Sequence, residues 1–103
     1  LQLPESVQEK VQVLMSERQR LERELPLLPC VEKIFPSDAN FLLVRVTDAN
    51  YIYHYLCEQG IIVRNRDKEL HCGNCLRITV GTPEENTRLL SALRSYYPPY
   101  DLR

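Results

Sequence analysis

At 103 residues, 44% apolar and 26% charged, the chain suits one domain with a modest core and reads as a soluble globular protein. Its formal net charge of −1, from 13 basic and 14 acidic side chains, argues against a general nucleic-acid surface, which needs a basic excess or stripe. No apolar run approaches the ~20 residues that span a bilayer, no secretory leader is visible, and the cysteines at 30, 57, 72 and 75 are too few for a disulfide scaffold, so a cytoplasmic protein without membrane or nucleic-acid partners is expected.

The chain opens at Leu1 without Met, directly beside a helical pattern. Deep clefts tend to form between domains and usually need more chain than this, so the expectation is a piece of something larger. Val7, Val11, Leu14, Leu21, Leu25 and Leu28 recur at helical spacing and predict an amphipathic helix over 5–28. Arg18 occupies the slot in that series that should be apolar, which weakens a coiled-coil alternative. Pro26 and Pro29 end the helix between them.

A strand is expected over Cys30–Phe35, then turn residues Pro36, Ser37 and Asp38, then the strongest strand, Asn40–Val46. The near-continuous apolar run of that second strand suggests a central position covered on both faces or nearly so. Thr47 or Asp48 caps a helix over Ala49–Gln59, and Gly60 stops it. A short strand Ile61–Arg64, a loop Asn65–Asn74 and a strand Cys75–Val80 follow. Thr82, Pro83 and Glu85 form a capping-box start for a last helix running to about Tyr97, which Pro98 and Pro99 terminate. Four strands and three helices in this order fit a two-layer α/β sandwich, with a mostly antiparallel or mixed four-stranded sheet and helices on one face. The step from 40 to 64 also allows a parallel pair through a right-handed crossover.

The residues that could carry chemistry cluster between Gly60 and Thr82. Alternation points Arg77 and Thr79 one way while Leu76, Ile78 and Val80 point the other. An arginine on such a strand is either a solvated charge or a fixed reader of an anion, because its guanidinium fork matches a carboxylate. If the strands 61–64 and 75–80 are neighbours, Arg64 lies near Arg77, and two cations so placed need an anion. Arg45 could face the same side; Lys33, Arg66 and Lys68 read as solvated charges.

His71, Cys72 and Cys75 have half the spacing of a zinc site, but completing it would need Cys30, Cys57, His54 or carboxylates; ordinary thiols in a tight turn at Gly73–Asn74 explain the pattern more simply. His54 has no evident nucleophile beside it. Glycine-rich phosphate loops and hydrolase or zinc-protease motifs are absent from the sequence.

The stretches GIIVRNRDK and CLRITVGTPEENTRLLSAL resemble the C-terminal end of the histidinol-phosphate aminotransferase family, class I/II pyridoxal-phosphate enzymes. CVEKIFPSDANFLLVRV is similar to the opening of that family's small domain, and 5–28 to the helix leading into it. The resemblance implies a lead-in helix over 1–29 and a small domain over 30–103, with Arg77 binding the substrate α-carboxylate and Arg64 helping to hold the phosphate. Asn40 matches an asparagine with a local structural role, while H-C-G-N-C carries no family role.

It further implies a large domain outside these residues that holds pyridoxal phosphate, a homodimer, and amino transfer between glutamate and imidazole-acetol phosphate in histidine biosynthesis. Lys10, Lys33 and Lys68 do not match the family's Schiff-base lysine, so this chain alone is expected to be inactive. A small domain of this kind also predicts an exposed apolar face where the large domain docks. Threonine-phosphate decarboxylases share part of the pattern, and a free-standing anion-binding α/β module is the alternative of a different class.

Overall fold

The computed structural model describes residues 5–35, 38, 40–67 and 73–97. The leading helix, α1 (Glu5–Glu24), ends earlier than the periodicity predicts. Pro26 has no N–H to donate to Glu22 and its ring would clash with that carbonyl, so the chain tightens into a 3-10 turn over Leu25–Leu27. Leu21, Leu25 and Leu28 enter the core, Leu14 is half-buried, and Val7, Val11, Val13 and Met15 stay exposed.

Arg18 breaks the apolar series for a reason visible only in three dimensions. Its Nη1 donates to the carbonyls of Asp38 and of Phe41, the latter at 2.8 Å, while its Nε pairs with Glu22 at 3.1 Å. An apolar residue would restore the periodicity and leave two turn carbonyls without this donor. Arg18→Leu is therefore expected to lower stability by about 1–3 kcal/mol, read by chemical denaturation. An unchanged or raised midpoint would show that the helix pattern, not the turn contact, governs this position.

The strands are β1 (Val31–Phe35), β2 (Phe41–Val46), β3 (Arg64–Asn65) and β4 (Cys75–Thr79). They form one sheet in the order β1-β2-β4-β3, with every neighbouring pair antiparallel. The crossover after β2 does not create a parallel neighbour, because β4 inserts between β2 and β3. The third strand is also shorter than Ile61–Arg64. Gly60 takes φ 77° past the end of α2 (Ala49–Glu58), and the Ile61 N–H donates to the Leu56 carbonyl at 2.8 Å. That N–H closes the helix instead of joining a ladder. Asp48 is the N-cap of α2, accepting from the Tyr51 N–H at 3.2 Å.

The last helix, α3 (Pro83–Arg94), starts with the predicted capping box and ends before Tyr97, at a Ser95 cap. Thr82 N–H donates to Glu85 Oε1 at 2.8 Å and Glu85 N–H to Thr82 Oγ1 at 3.2 Å. The Thr82 N–H bond, and after it the Thr82 hydroxyl, favour the charged carboxylate and hold the Glu85 pKa below its ordinary value.

All three helices cover one face of the sheet. Leu42, Val44 and Val46 of β2 and Leu76 and Ile78 of β4 are buried against Ile52 and Leu56 of α2 and Leu89, Leu90 and Leu93 of α3. The strong strand β2 is thus covered on one face only: Phe41, Leu43 and Arg45 alternate with the buried residues and are half-buried. Its apolar run reflects a second, unroofed surface.

Candidate functional site

Strand register composes that unroofed surface. Phe35 pairs with Leu43, Leu43 with Arg77, and Arg77 with Arg64, so these four form one row across the sheet. The next row is Lys33, Arg45 and Cys75. Arg64 and Arg77 are direct partners, with Cβ atoms about 4.5–5.5 Å apart as for any opposed pair. The structure therefore brings together the two arginines singled out in the sequence, and it places Arg45 on the same face one row away.

Like charges directly opposed on a sheet destabilise it unless something neutralises them. The ion pairs among the described residues join Arg18, Arg20, Arg23 and Arg94 to Glu17, Glu22 and Glu24 in the helix layer. None involves Arg45, Arg64 or Arg77. What the sheet offers instead is aromatic. The Arg77 guanidinium carbon lies 4.0 Å from the Phe41 ring centroid, and Arg45 and Lys33 each lie 5.0 Å from that of Phe35. Neither phenylalanine stands out in the sequence from an ordinary strand residue. The signal was there in period-two placement, since Phe41 is diagonal to Arg77 once the register is known.

The strand carrying Arg64 is strapped to the start of α2. Asn65 donates from Nδ2 to Asn50 Oδ1 at 2.8 Å, and the Ala49 N–H donates to Asn74 Oδ1 at 3.2 Å. Asn74 takes φ 59°, a left-handed turn conformation that asparagine tolerates, and its N–H donates to the Asp67 carboxylate at 2.6 Å. The predicted turn at Gly73–Asn74 thus also anchors the loop.

Of the half metal site, His71 and Cys72 lie outside the described residues, as does Lys68. Cys75 is buried, its Sγ 3.7 Å from the Gly73 carbonyl. No metal-binding group of three or more His, Cys, Asp or Glu occurs among the described residues. Burial pushes the Cys30 thiol above its usual pKa, and its Sγ faces the Leu93 carbonyl at 3.9 Å, which suits an inert packed thiol. His54 is exposed and packs edge-on to Tyr53. Asn40 contributes its backbone carbonyl, which accepts from the Val80 N–H at 2.9 Å.

A cleft of about 190 Å³ opens elsewhere, between residues 60–63 and α3, and includes neither arginine. Arg64 is exposed and Arg77 half-buried on the sheet face away from the helices. Among the described residues the pair forms a cationic patch on the sheet.

A family model described as aminotransferase class I and II matches residues 1–93. The chain belongs to the class I and II aminotransferases. This aminotransferase segment is 56% identical over 86 residues to the histidinol-phosphate aminotransferase of Bacteroides fragilis, covering 84% of this chain and 25% of that protein. Against the Flavobacterium psychrophilum enzyme of the same name, identity is 48% over 85 residues, 82% of this chain and 25% of the relative.

The chain spans about a quarter of the length of these curated relatives. Its fold matches the crystal structure of the histidinol-phosphate aminotransferase from Clostridium acetobutylicum with a TM-score of 0.77 at 24% identity, covering 85% of this chain and 27% of that one. A decarboxylase from Sulfurospirillum multivorans matches with a TM-score of 0.69 at 32% identity, over 78% of this chain and 24% of that one.

Among the described residues of this aminotransferase segment, no helix is long and apolar enough to cross a membrane.

Proposed function

We propose that this chain is the substrate-closing small domain of a histidinol-phosphate aminotransferase, with 1–29 as lead-in helix and 30–103 as the domain proper. The observation that carries the reading is the direct opposition of Arg64 and Arg77 on an unroofed face without a carboxylate partner among the described residues. Such a pair suits substrates that bring anions of two kinds. Arg77 takes the α-carboxylate of glutamate, and Arg64 helps hold the phosphate of the phosphorylated amine and of imidazole-acetol phosphate. A strand origin keeps both cations at fixed height above the sheet, which a loop would not. The relatives' names support the reaction class, and the exposed Val7, Val11, Val13 and Met15, with Phe35, Phe41 and Leu43 on the open face, suit a domain that docks against more chain.

Pyridoxal phosphate supplies the electron sink for amino transfer when bound. Lys10 and Lys33 do not fit its covalent anchor, because both are exposed on the outer surfaces of α1 and β1. In this reading the cofactor is held by a large domain outside these residues, in a cytoplasmic homodimer. This chain's own part is to bring Arg64 and Arg77 over the bound substrate as the domain closes, and to exclude water there.

A second reading, a threonine-phosphate decarboxylase, draws on the likeness to the Sulfurospirillum decarboxylase; it too would use a carboxylate and a phosphate site. The full-length protein separates the two by its products, glutamate-dependent transamination of histidinol phosphate or carbon dioxide release from threonine phosphate. In the same assay Arg64→Ala is expected to raise KM for the phosphorylated substrate about 10- to 100-fold, the worth of one charge-assisted contact, and to change KM for glutamate by less than about threefold. Equal effects on both substrates would remove the phosphate role.

A further inference from the structure

We propose that Phe41 is a positioning residue that presents the Arg77 guanidinium to a carboxylate. The inference rests on the carboxylate role given to Arg77 above, and it goes further by naming what holds that side chain in place. Phe41 pairs with Thr79 across the β2–β4 ladder, two residues along the strand from Arg77, so its ring reaches Arg77 on the diagonal. At 4.0 Å from ring centroid to guanidinium carbon, the cation lies within stacking distance of the face of the ring.

Three consequences follow from that contact. An arginine side chain has many rotamers, and the ring confines its planar group, so less freedom remains to be lost when an anion arrives. The Nε of Arg77 is closed to solvent and has no hydrogen-bond partner among the described residues, whereas its two Nη groups are not enclosed in this way. The Nη1–Nη2 edge is thus the part of the guanidinium left for an anion. Lastly, the ring's electron-rich face sets an attraction against the repulsion from Arg64 directly opposite.

The platform is itself held in place. The Phe41 carbonyl accepts from Arg18 Nη1 at 2.8 Å, and its N–H donates to the Asp38 carbonyl at 3.4 Å, so α1 fixes the strand end from which the ring projects.

The test uses the full-length protein and glutarate, a dicarboxylate that mimics glutamate without its amino group, titrated by calorimetry alongside steady-state kinetics. Phe41→Leu retains an apolar side chain and removes the π face; it is expected to weaken glutarate binding and raise KM for glutamate about tenfold, with kcat within about threefold, the scale of one cation–π contact. Phe41→Tyr, which keeps the face, is expected to bind glutarate within about twofold of the parent.

A parental glutarate affinity in Phe41→Leu, or an equal loss in Phe41→Leu and Phe41→Tyr, overturns the proposal while leaving the role of Arg77 intact. Arg77→Lys is the control for that role: if it retains parental glutarate binding, the carboxylate reading fails, and this inference with it. Should Phe41→Leu not fold, Phe41→Met, another apolar side chain without a ring, takes its place under the same criteria.

Discussion

Arg77→Lys in the full-length protein is expected to lower kcat/KM for glutamate by roughly 100-fold or more, with a thermal midpoint close to that of the parent. The expectation follows from geometry rather than charge, since lysine keeps the charge. A guanidinium offers two parallel N–H donors that meet both oxygens of a carboxylate, and it stacks on an aromatic face, whereas an ammonium on a flexible stem does neither. Losing one strong contact of a buried, hydrogen-bonded charge pair costs about 2–5 kcal/mol, which spans this loss of rate. Stability is expected to change little because Arg77 lies on the unroofed face, outside the core, and makes no ion pair among the described residues. Steady-state kinetics and a melting curve on the same preparation decide it. A variant with parental kcat/KM for glutamate would remove Arg77 from the binding site.

The second large effect is on stability. Asn86→Ala is expected to destabilise the protein by about 3 kcal/mol, because it strands several polar groups at once. Asn86 is 2% exposed, and its Nδ2 donates to Glu17 Oε1 at 3.0 Å and to the Gly81 carbonyl at 2.9 Å. Its Oδ1 accepts from the Gly81 N–H at 3.0 Å. Alanine would leave both backbone groups of Gly81 without this partner, and would leave Glu17 with only the Arg20 contact at 3.4 Å among its described ion pairs. The network ties the end of β4 to α3 and α1 together, so it also fixes the strand that carries Arg77.

A side chain at Gly81 would crowd the capping residue, since a Cβ there would stand 2.7 Å from Glu85 Oε1. Chemical denaturation gives the loss, and a double-mutant cycle with Glu17→Ala separates the interhelix contact from the Gly81 bonds, with a coupling of about 1–2 kcal/mol expected. A loss below about 1 kcal/mol would mean that water replaces the amide at little cost.

Much of the framework follows from local chemistry that sequence displays directly. Thr82, Pro83 and Glu85 specify a helix start through bonds that span three residues, and the structure contains both of them. Gly60 marks a helix end because few other residues tolerate φ 77°. The two-layer architecture with helices on one face follows from the order and periodicity of the elements. The family likeness rests on the residue run CLRITVGTPEEN itself, Cys75–Asn86, which resembles that family's C-terminal end.

Long-range partners were not legible in the same way. The periodicity of α1 assigned position 18 to the core, and the structure instead uses Arg18 to hold turn carbonyls 20 and 23 residues away. The apolar run of β2 looked like burial on both sides, but one of its faces is the floor of the candidate site.

From the sequence alone came the element types, the class of sheet and the two arginines, carried by interactions within a few residues or by alternation along a strand, and the likeness to an aminotransferase, carried by its residue motifs. Tertiary structure alone decided that β4 lies between β2 and β3, and with it that Arg77 faces Arg64 on one side and Leu43 on the other. It also decided that Phe41 lies under the guanidinium. Strand order depends on how the whole apolar face packs against three helices. No single strand's sequence encodes its neighbour, so the cationic patch and its aromatic platform exist only once the sheet is assembled.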